Sequence, residues 1–335
     1  MEDTLIERKK SWTFYKNLFK KALDDEIEDY RTLFNKKKTL GEGEQGKVYE
    51  YKLKNHNSNL PSLTIKKFYI EDDEAEYTED VLNSKALTFG NYVEPAASQL
   101  INLLLLQNIC PHFAYYYTTV YLERTGICDD IYPYYGFHYN EYIKNSETYE
   151  DWVTSSYQSL TWYNCYFQII AGLYALKKYF NMKHFDLHPG NILVKTVNKG
   201  GFWKYIINDK EYNIPNLGYI FYIIDLGHAF IPDQFRTWLV DEEHCDNIND
   251  AFDIKKLIDE TSESTVPENI NEEIKNIISK LKNNTSYIKI FESIFLNKFN
   301  RSLGDSPIEY YNLDKKIKKD KDVPKKLRKL INKCD

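Results

Sequence analysis

Polar residues in one predicted loop and at one predicted strand end carry the strongest chemical signal in the sequence. Residues 184–191 read HFDLHPGN, which places Asp186 and Asn191 five positions apart, and Asp225 ends an apolar run in IIDLG. Transfer of a phosphoryl group needs a carboxylate that orients and deprotonates the acceptor hydroxyl, and oxygen ligands that hold Mg²⁺ on the phosphates. We therefore predict Asp186 as the catalytic base, and Asn191 and Asp225 as the metal ligands.

A glycine-rich segment could hold the phosphates of a nucleotide. Residues 41–48 read GEGEQGKV, which matches G-x-G-x-x-G-x-V with glycines at Gly41, Gly43 and Gly46. Glycines let backbone N–H groups approach phosphate oxygens without a clash of Cβ atoms. The segment that follows, KVYEYKL, is strand-like, whereas a dinucleotide-binding fold would have a helix there. The pattern therefore indicates a phosphate-binding hairpin.

A lysine on the next predicted strand could reach these phosphates. Lys66 stands 20 residues after Gly46 in the segment LTIKK, and Lys67 would face the opposite side because side chains alternate along a strand. The strand motif V-A-I-K favours Lys66 as the inward residue. Taken singly, the polar residues could be solvated lysines, turn formers or caps. Their joint order of glycine loop, lysine, H-x-D-x-x-x-x-N and D-x-G favours a catalytic site.

Apolar spacing predicts the elements that position these residues. Spacings of three and four predict an amphipathic helix within residues 1–38, and residues 40–68 are strand-rich. An apolar helix is expected from Pro95 onward, because proline is tolerated at a helix start. The other predicted elements, in chain order, are strands at 115–122 and 139–143, a helix over Ser159–Phe180, strands in FWKYII and GYIFYIIDLG, and short helices after residue 250.

Length and composition bound the class of protein. The chain has 335 residues, of which 42% are hydrophobic, enough for two compact lobes or one large domain with extensions. No run approaches the roughly 18 to 20 apolar residues that a membrane span needs. The first residues lack the apolar centre of a signal peptide. We therefore expect a cytoplasmic or nuclear protein that is not secreted and has no membrane partner.

Charge and cysteine usage give weaker indications. The net charge of −6 gives no general preference for nucleic acid, but residues 315–333 form a basic stretch that could bind acidic partners. A solvated helix face is the simpler interpretation of that stretch. The five cysteines are far apart and form no CxxC pair, so we expect buried thiols rather than disulfides or a zinc site. Nothing in the sequence indicates an oligomeric state.

The order of these motifs resembles the eukaryotic-type protein kinase superfamily over about residues 39–260. The resemblance implies an α+β, bilobal fold with a small β-rich N-lobe and a mainly helical, reduced C-lobe. It also implies ATP and Mg²⁺ as cofactors. The expected parts, in chain order, are an N-terminal helical extension over 1–38, the N-lobe and hinge over 39–143, the C-lobe over 144–313 and a basic tail over 314–335.

The resemblance gives roles to further residues. Glu94 is similar to the helix glutamate that pairs with the phosphate-binding lysine, here Lys66. The segment 140–143 resembles the hinge, with Asn140 at the gatekeeper position and the backbone of Glu141 and Ile143 hydrogen-bonding adenine. The resemblance also implies that the adenine ring lies between the side chains of Val48, Thr64 and Leu193.

Departures from the family pattern point to a divergent branch. Phe185 replaces the usual arginine of the catalytic loop, which implies that the pocket for an activating phosphate is absent. His188 replaces the usual lysine, Leu226 replaces a phenylalanine, and no A-P-E motif follows. The segment DAFDI begins only 25 residues after Asp225. The insertion KYIINDKEYNIPNLGYIFYIID, the missing A-P-E motif and the short segment before DAFDI resemble the haspin branch of Ser/Thr kinases, which implies protein substrates.

Two other classes of function stay open. The spelling DLHPGN at residues 186–191 is also that of aminoglycoside- and choline-kinase-like enzymes, which share the fold and phosphorylate small molecules. A pseudokinase, which binds without catalysis, is the second alternative. The retention of Lys66, Asp186, Asn191 and Asp225 argues against it.

Overall fold

A computed structural model describes residues 4–43, 46–54, 60–70, 90–123, 134–155, 157–231, 249–264, 271–304, 306–318 and 327. The chain is a mixed α/β structure of sheets and several helices, compatible with the predicted bilobal kinase-like fold. Cys110 and Cys165 are buried free thiols, as expected. Other predictions concern positions outside the described residues, namely Cys128, Cys245, Cys334 and most of the basic stretch 315–333.

The N-terminal helix is part of the core. Helix α1 (Leu5–Asp24) begins after Thr4, whose hydroxyl accepts a hydrogen bond from the N–H of Glu7 (3.4 Å) as an N-cap. Leu23, an apolar residue in the last turn, is 67% exposed. The buried side chains recur at spacings of three, four and seven: Leu5, Arg8, Tyr15, Phe19 and Ala22.

A five-stranded antiparallel sheet follows, with α1 packed against it through aromatic side chains. The Tyr15 ring lies 4.9 Å from that of Tyr117, and the Phe19 ring 5.0 Å from that of Tyr139. The first strand begins at Phe34, so the predicted boundary after residue 38 falls inside it. The strands, in the order β1-β2-β3-β5-β4, are β1 (Phe34–Gly43), β2 (Gly46–Leu53), β3 (Leu63–Ile70), β4 (Tyr116–Glu123) and β5 (Tyr134–Glu141).

Helix α2 (Gly90–Leu106) starts earlier than the sequence predicts. Pro95 is its sixth residue rather than part of its first turn, so Glu94 lies inside the helix. The missing N–H of Pro95 removes the hydrogen bond that would run to the carbonyl of Asn91. Burial of the helix compensates, because its second half is apolar and buried at Leu100, Ile101, Leu103, Leu104 and Leu105.

The second part of the chain is built around a long buried helix. This helix, α4 (Ser159–Phe180), has the predicted bounds and ends at Asn181, which adopts the left-handed conformation with φ 51°. Its flanking elements are β6 (Ser146–Thr148), α3 (Tyr149–Trp152), β7 (Ile192–Thr196), β8 (Phe202–Ile207), β9 (Lys210–Pro215) and β10 (Tyr219–Ile223). The helices α5 (Phe252–Ser264), α6 (Glu272–Asn283), α7 (Tyr287–Ile290) and α8 (Leu296–Phe299) and the strand β11 (Glu309–Asn312) complete it.

Two small sheets support this part, with strand orders β10-β7-β6 and β11-β8-β9. Strands β6, β7, β9 and β11 were not predicted from the sequence. One continuous cluster of buried apolar residues runs from α1 through the five-stranded sheet to α4 and α6. None of the helices within the described residues combines the length and apolarity needed to cross a bilayer.

Candidate active site

A cleft of about 870 Å³ brings the predicted site residues together. Its size is in the usual range for a small-molecule pocket. Gly43, which is not among the described lining residues, pairs with Gly46 at the end of the β1–β2 hairpin. The predicted residues that line the cleft are Gly41, Gly46, Val48, Thr64, Lys66, Glu94, Asn140, Glu141, Ile143, Asp186, Asn191, Leu193 and Asp225.

The β1–β2 hairpin approaches the backbone of β3 closely at one glycine. Gly46 has a φ of 141°, and a Cβ atom added there would lie 2.0 Å from the carbonyl oxygen of Lys67. Only glycine fits, because a backbone atom cannot move aside as a flexible side chain could. A Cβ atom at Gly41 would meet open space within 4 Å. Packing on β3 therefore requires the glycine at position 46 but not the one at position 41.

Lys66 links three elements at the back of the cleft. Its Nζ atom donates to Glu94 Oε2 on α2 (2.9 Å) and to both carboxylate oxygens of Asp225 (3.0 and 2.9 Å). Lys67 faces the other side of β3, where its Nζ lies 3.9 Å from the centre of the Tyr135 ring. The strand register therefore turns Lys66 into the cleft, as the sequence motif predicts.

One ammonium group is shared by two carboxylates, the buried one of Glu94 and the half-buried one of Asp225, and their pKa values diverge. Burial would raise the pKa of Asp225, but Lys66 and the N–H of Gly227 lower that pKa to about 2. Burial raises the pKa of Glu94 to about 7, with Lys66 opposing the shift and the charge of Asp225 adding to it. Asp225 is therefore ionised at neutral pH. An ionised oxygen ligand of this kind is what a hard cation prefers.

A second buried group lies behind this cluster. His138 pairs with Lys66 across β3 and β5, and its Nε2 is 3.5 Å from Glu94 Oε2. Its Nδ1 bonds the hydroxyl of Thr119 (2.7 Å). Burial, followed by the charge of Lys66, holds the pKa of His138 well below its usual value, so the ring is neutral. Sequence reasoning missed this histidine because its contacts depend on strand pairing.

Asp253 on α5 fixes the backbone of the loop 184–191. Its carboxylate accepts hydrogen bonds from the backbone N–H groups of His184 (2.9 Å) and Phe185 (2.8 Å). Phe185 has a φ of 65°, a strained conformation for a residue with a Cβ atom. The two hydrogen bonds stabilise this conformation. The sequence segment DAFDI contains Asp253, but the sequence alone gave it no role.

Asp186 and Asn191 are held against each other within this loop. The side-chain amide of Asn191 donates to the backbone carbonyl of Asp186 (2.9 Å), and Asn191 accepts at its own carbonyl from the N–H of Ile224 (3.0 Å). The loop is thereby joined to the strand end that carries Asp225. Although burial acts in the other direction, Lys256 lowers the pKa of Asp186. Asp186 is therefore ionised at neutral pH.

The donor set at Asn191 and Asp225 suits a magnesium ion. An amide oxygen and a carboxylate are hard ligands, and Mg²⁺ takes one or two such protein ligands beside phosphate oxygens and water. No cluster of three or more His, Cys, Asp or Glu side chains that could hold a metal occurs among the described residues. An Mg²⁺ ion held by these two residues would take its remaining ligands from other molecules, such as phosphate or water.

The predicted hinge is anchored by the N-terminal helix. Arg8 on α1 donates from Nε and Nη2 to the two carboxylate oxygens of Glu141 (2.8 Å each), a bidentate pair whose side chains are only 7% and 10% exposed. Arg8 also donates to the carbonyls of Pro111 (3.0 Å) and Phe113. The backbone N–H of Glu141 donates to the carbonyl of Tyr115 (2.8 Å). The N–H of Glu141 is therefore already used, whereas its carbonyl accepts a long hydrogen bond from the Thr64 hydroxyl (3.5 Å) and can accept a second one.

An aromatic cluster supports the loop on its lower side. The Phe185 ring lies 5.3 Å from that of Phe230 and 5.2 Å from that of Phe252. Phe230 is also paired with Lys183 through two backbone hydrogen bonds of 2.9 Å. Phe185, which stands where the kinase family that the sequence resembles carries an arginine, is thus held by apolar packing.

Comparison with known proteins gives partial support for a kinase. No protein-family model matches the chain. It is 26% identical over 208 residues to "Probable serine/threonine-protein kinase 380R" of Invertebrate iridescent virus 6, over 59% of this chain and 37% of that protein. It is 40% identical over 62 residues to "Putative serine/threonine-protein kinase 019R" of Frog virus 3, over 18% of this chain and 7% of that protein.

A third relative carries no functional name. It is "Uncharacterized protein R403" of Acanthamoeba polyphaga mimivirus, 27% identical over 154 residues, which are 42% of this chain and 20% of that protein. The chain therefore matches 37% or less of the length of each of these relatives. The likeness indicates a kinase-like protein and leaves its substrates open.

Proposed function

We propose that the chain transfers the γ-phosphoryl group of ATP to serine or threonine hydroxyls of proteins. One observation carries the proposal: a single cleft contains the Lys66, Glu94 and Asp225 cluster together with Asp186 and Asn191. This set matches the parts that phosphoryl transfer needs, which are a phosphate-binding cation, metal ligands and a base for the acceptor. The kinase names of two relatives add support.

Each part of the cleft has a role in this proposal. The hairpin backbone around Gly41, Gly43 and Gly46 would hold the phosphates, and Lys66 would bind their oxygens. Asn191 and Asp225 would hold Mg²⁺, which neutralises charge that develops on the phosphates when it is bound. Val48, Thr64 and Leu193 would contact the adenine ring, and the Glu141 carbonyl and the Ile143 backbone would bond its edge.

Asp186 would act on the acceptor. Its carboxylate would accept the hydrogen of the incoming hydroxyl and hold the acceptor oxygen in line with the γ-phosphorus. Because little covalent chemistry is required of the protein, correct orientation supplies most of the effect. The ionised state of Asp186 suits this role.

We further propose that the chain is a divergent, haspin-like kinase located in the cytoplasm or nucleus. The short segment between Asp225 and DAFDI and the absence of A-P-E support this assignment. A small-molecule kinase is the second candidate, because the loop is spelled DLHPGN. In that case the acceptor would be the hydroxyl of an aminoglycoside or of a choline-like amine.

An acceptor screen tests the proposal. The full chain is incubated with radiolabelled Mg·ATP and a panel of basic and acidic proteins, aminoglycosides and choline, with Asp186→Asn as control. We expect label on serine or threonine of a protein, abolished by EDTA and by Asp186→Asn. Label on a small molecule alone would select the second candidate. ATP binding with no transfer to any acceptor would indicate a pseudokinase.

A further inference from the structure

The predicted catalytic loop supplies no lysine or arginine of its own. Residues 184–191 contain two histidines as their only basic residues. His188 Nε2 is 4.0 Å from Asp186 Oδ2, beyond hydrogen-bond distance. Its other ring nitrogen, Nδ1, accepts a hydrogen bond from the N–H of Gly190 (3.1 Å). A cation that contacts Asp186 must therefore come from another element.

Lys256 on α5 provides that cation. Its Nζ atom donates to Asp186 Oδ1 at 2.7 Å and to the backbone carbonyl of Phe185 at 3.3 Å. The contact spans 70 residues of sequence. A hydrogen bond between two charged groups at this distance is short and about twice as strong as a neutral one.

The same helix that fixes the loop backbone also carries this lysine. Asp253, which binds the N–H groups of His184 and Phe185, lies one turn before Lys256, and residues three apart share a helix face. The loop and the side chain of Asp186 are thus held by one rigid element. Geometry set by a helix is more precise than geometry set by a loop alone.

The pair stays accessible to an acceptor. The side chains of Asp186 and Lys256 are 29% and 26% exposed. Asp186 lines the cleft. Lys256, which contacts Asp186, is not among the described residues that line the cleft. Only Oδ1 is engaged by the lysine, so the second oxygen, Oδ2, can receive a hydroxyl.

We propose that Lys256 is a positioning residue for phosphoryl transfer, whose ammonium holds Asp186 Oδ1 so that Oδ2 meets the acceptor hydroxyl. The inference rests on the proposed function. In the step, the hydroxyl proton passes to Oδ2 and the acceptor oxygen bonds the γ-phosphorus. The bond from that phosphorus to the β–γ bridging oxygen breaks, and ADP leaves with its electron pair. Lys256 takes no part in bond making and acts through Asp186.

The test compares Lys256→Met, Lys256→Arg and Lys255→Met in the full chain. Lys255 is the adjacent residue on α5 and shows no side-chain bond within the described part of the chain, so it is a matched control. We expect Lys256→Met to lower kcat by about 10- to 100-fold, the effect of losing a hydrogen bond between charged groups. The Kd of Mg·ATP should stay within about twofold, Lys256→Arg should recover most of kcat, and Lys255→Met should match the unmodified chain.

A double-mutant cycle with Asp186→Asn separates positioning from a general structural role. If Lys256 acts through Asp186, Lys256→Met should cost little further activity once Asp186 is asparagine. Additive losses, or a loss of ATP binding in proportion to kcat, would overturn the proposal. If Lys256→Met does not fold, Lys256→Gln in the same cycle decides between a positioning role and a general structural role.

Failure of this inference can be told from failure of the proposed function. An active unmodified chain, an inactive Asp186→Asn variant and a fully active Lys256→Met variant would overturn the role of Lys256 alone. Absence of transfer by the unmodified chain to every acceptor would overturn both.

Discussion

Two groups of charged side chains meet at the cleft and differ in how they are held. Lys66, Glu94 and Asp225 join three elements. The lysine and glutamate side chains are only 11% and 12% exposed, whereas Asp225, at the cleft, is 32% exposed. Asp186 and Lys256 join one loop to one helix and are 29% and 26% exposed, more than twice as much as Lys66 and Glu94. Deeply buried charges need fixed partners, whereas a group that meets an incoming acceptor must stay accessible. The difference supports nucleotide binding by the first group and acceptor handling by the second.

The largest expected effect is that of Asp186→Asn. Loss of a positioned base should lower kcat by about 10²- to 10⁴-fold. The Kd of Mg·ATP, measured by calorimetry, should be nearly unchanged because the nucleotide contacts lie elsewhere in the cleft. A large loss of ATP affinity in this variant would contradict the assignment of nucleotide binding to one group and acceptor handling to the other.

The next effect distinguishes the two neighbouring lysines of β3. Lys66→Met should lower activity by about 100-fold or more, because it removes a phosphate contact and leaves Glu94 buried without its ammonium partner. Lys67→Met is the matched control, since that side chain lies over aromatic rings on the other face. Initial rates of both variants give the comparison. The reverse result would shift the strand register by one residue.

Asp225→Asn should act on nucleotide affinity rather than on the acceptor step. Removal of a metal ligand should weaken Mg·ATP binding by at least the roughly 10- to 100-fold that loss of an outer-shell partner costs. Titration of Mg²⁺ at fixed ATP measures the change, and excess Mg²⁺ should restore part of the activity. If excess Mg²⁺ instead left the activity of Asp225→Asn unimproved while Asp186→Asn lost ATP affinity, the two groups would have exchanged roles.

The parts of the site that sequence predicted are those written in short contiguous motifs. Lys66 in LTIKK, Asp186 and Asn191 in one loop, and Asp225 in D-x-G each have local context that limits their roles. Helix α4 was predicted with its bounds because its apolar spacing is long and regular. The structure brings these residues to one cleft, and their roles there stay a prediction.

The parts that sequence missed depend on contacts between distant residues. Arg8 reaches Glu141 across 133 positions and Lys256 reaches Asp186 across 70, and no local pattern announces either. Strand β11 pairs with β8 in a parallel register that its sequence does not show. The predicted start of helix α2 was too late because the proline rule for helix starts was applied to Pro95. Pro95 lies inside the helix, where burial compensates for the lost hydrogen bond.

The smallest expected effect is an absence of regulation by phosphate. Phe185 cannot bind a phosphate, and it packs on Phe230 and Phe252 instead. We expect packing of Phe230, Phe235 and Trp238 to order the segment after Asp225, and the last two lie outside the described residues. Chain expressed in bacteria and treated with a broad phosphatase should keep its initial rate within error, with loss of phosphate checked by mass spectrometry. A tenfold drop would contradict this prediction.

The Arg8–Glu141 pair has an evolutionary consequence. A change at either position alone would leave the other side chain's charge buried without a partner, so the two positions should be inherited together. Lineages that lose the first helix would also be expected to change residue 141 to an uncharged one. Joint substitution at these positions, read from sequences alone, would identify which relatives carry the same pair at the predicted hinge.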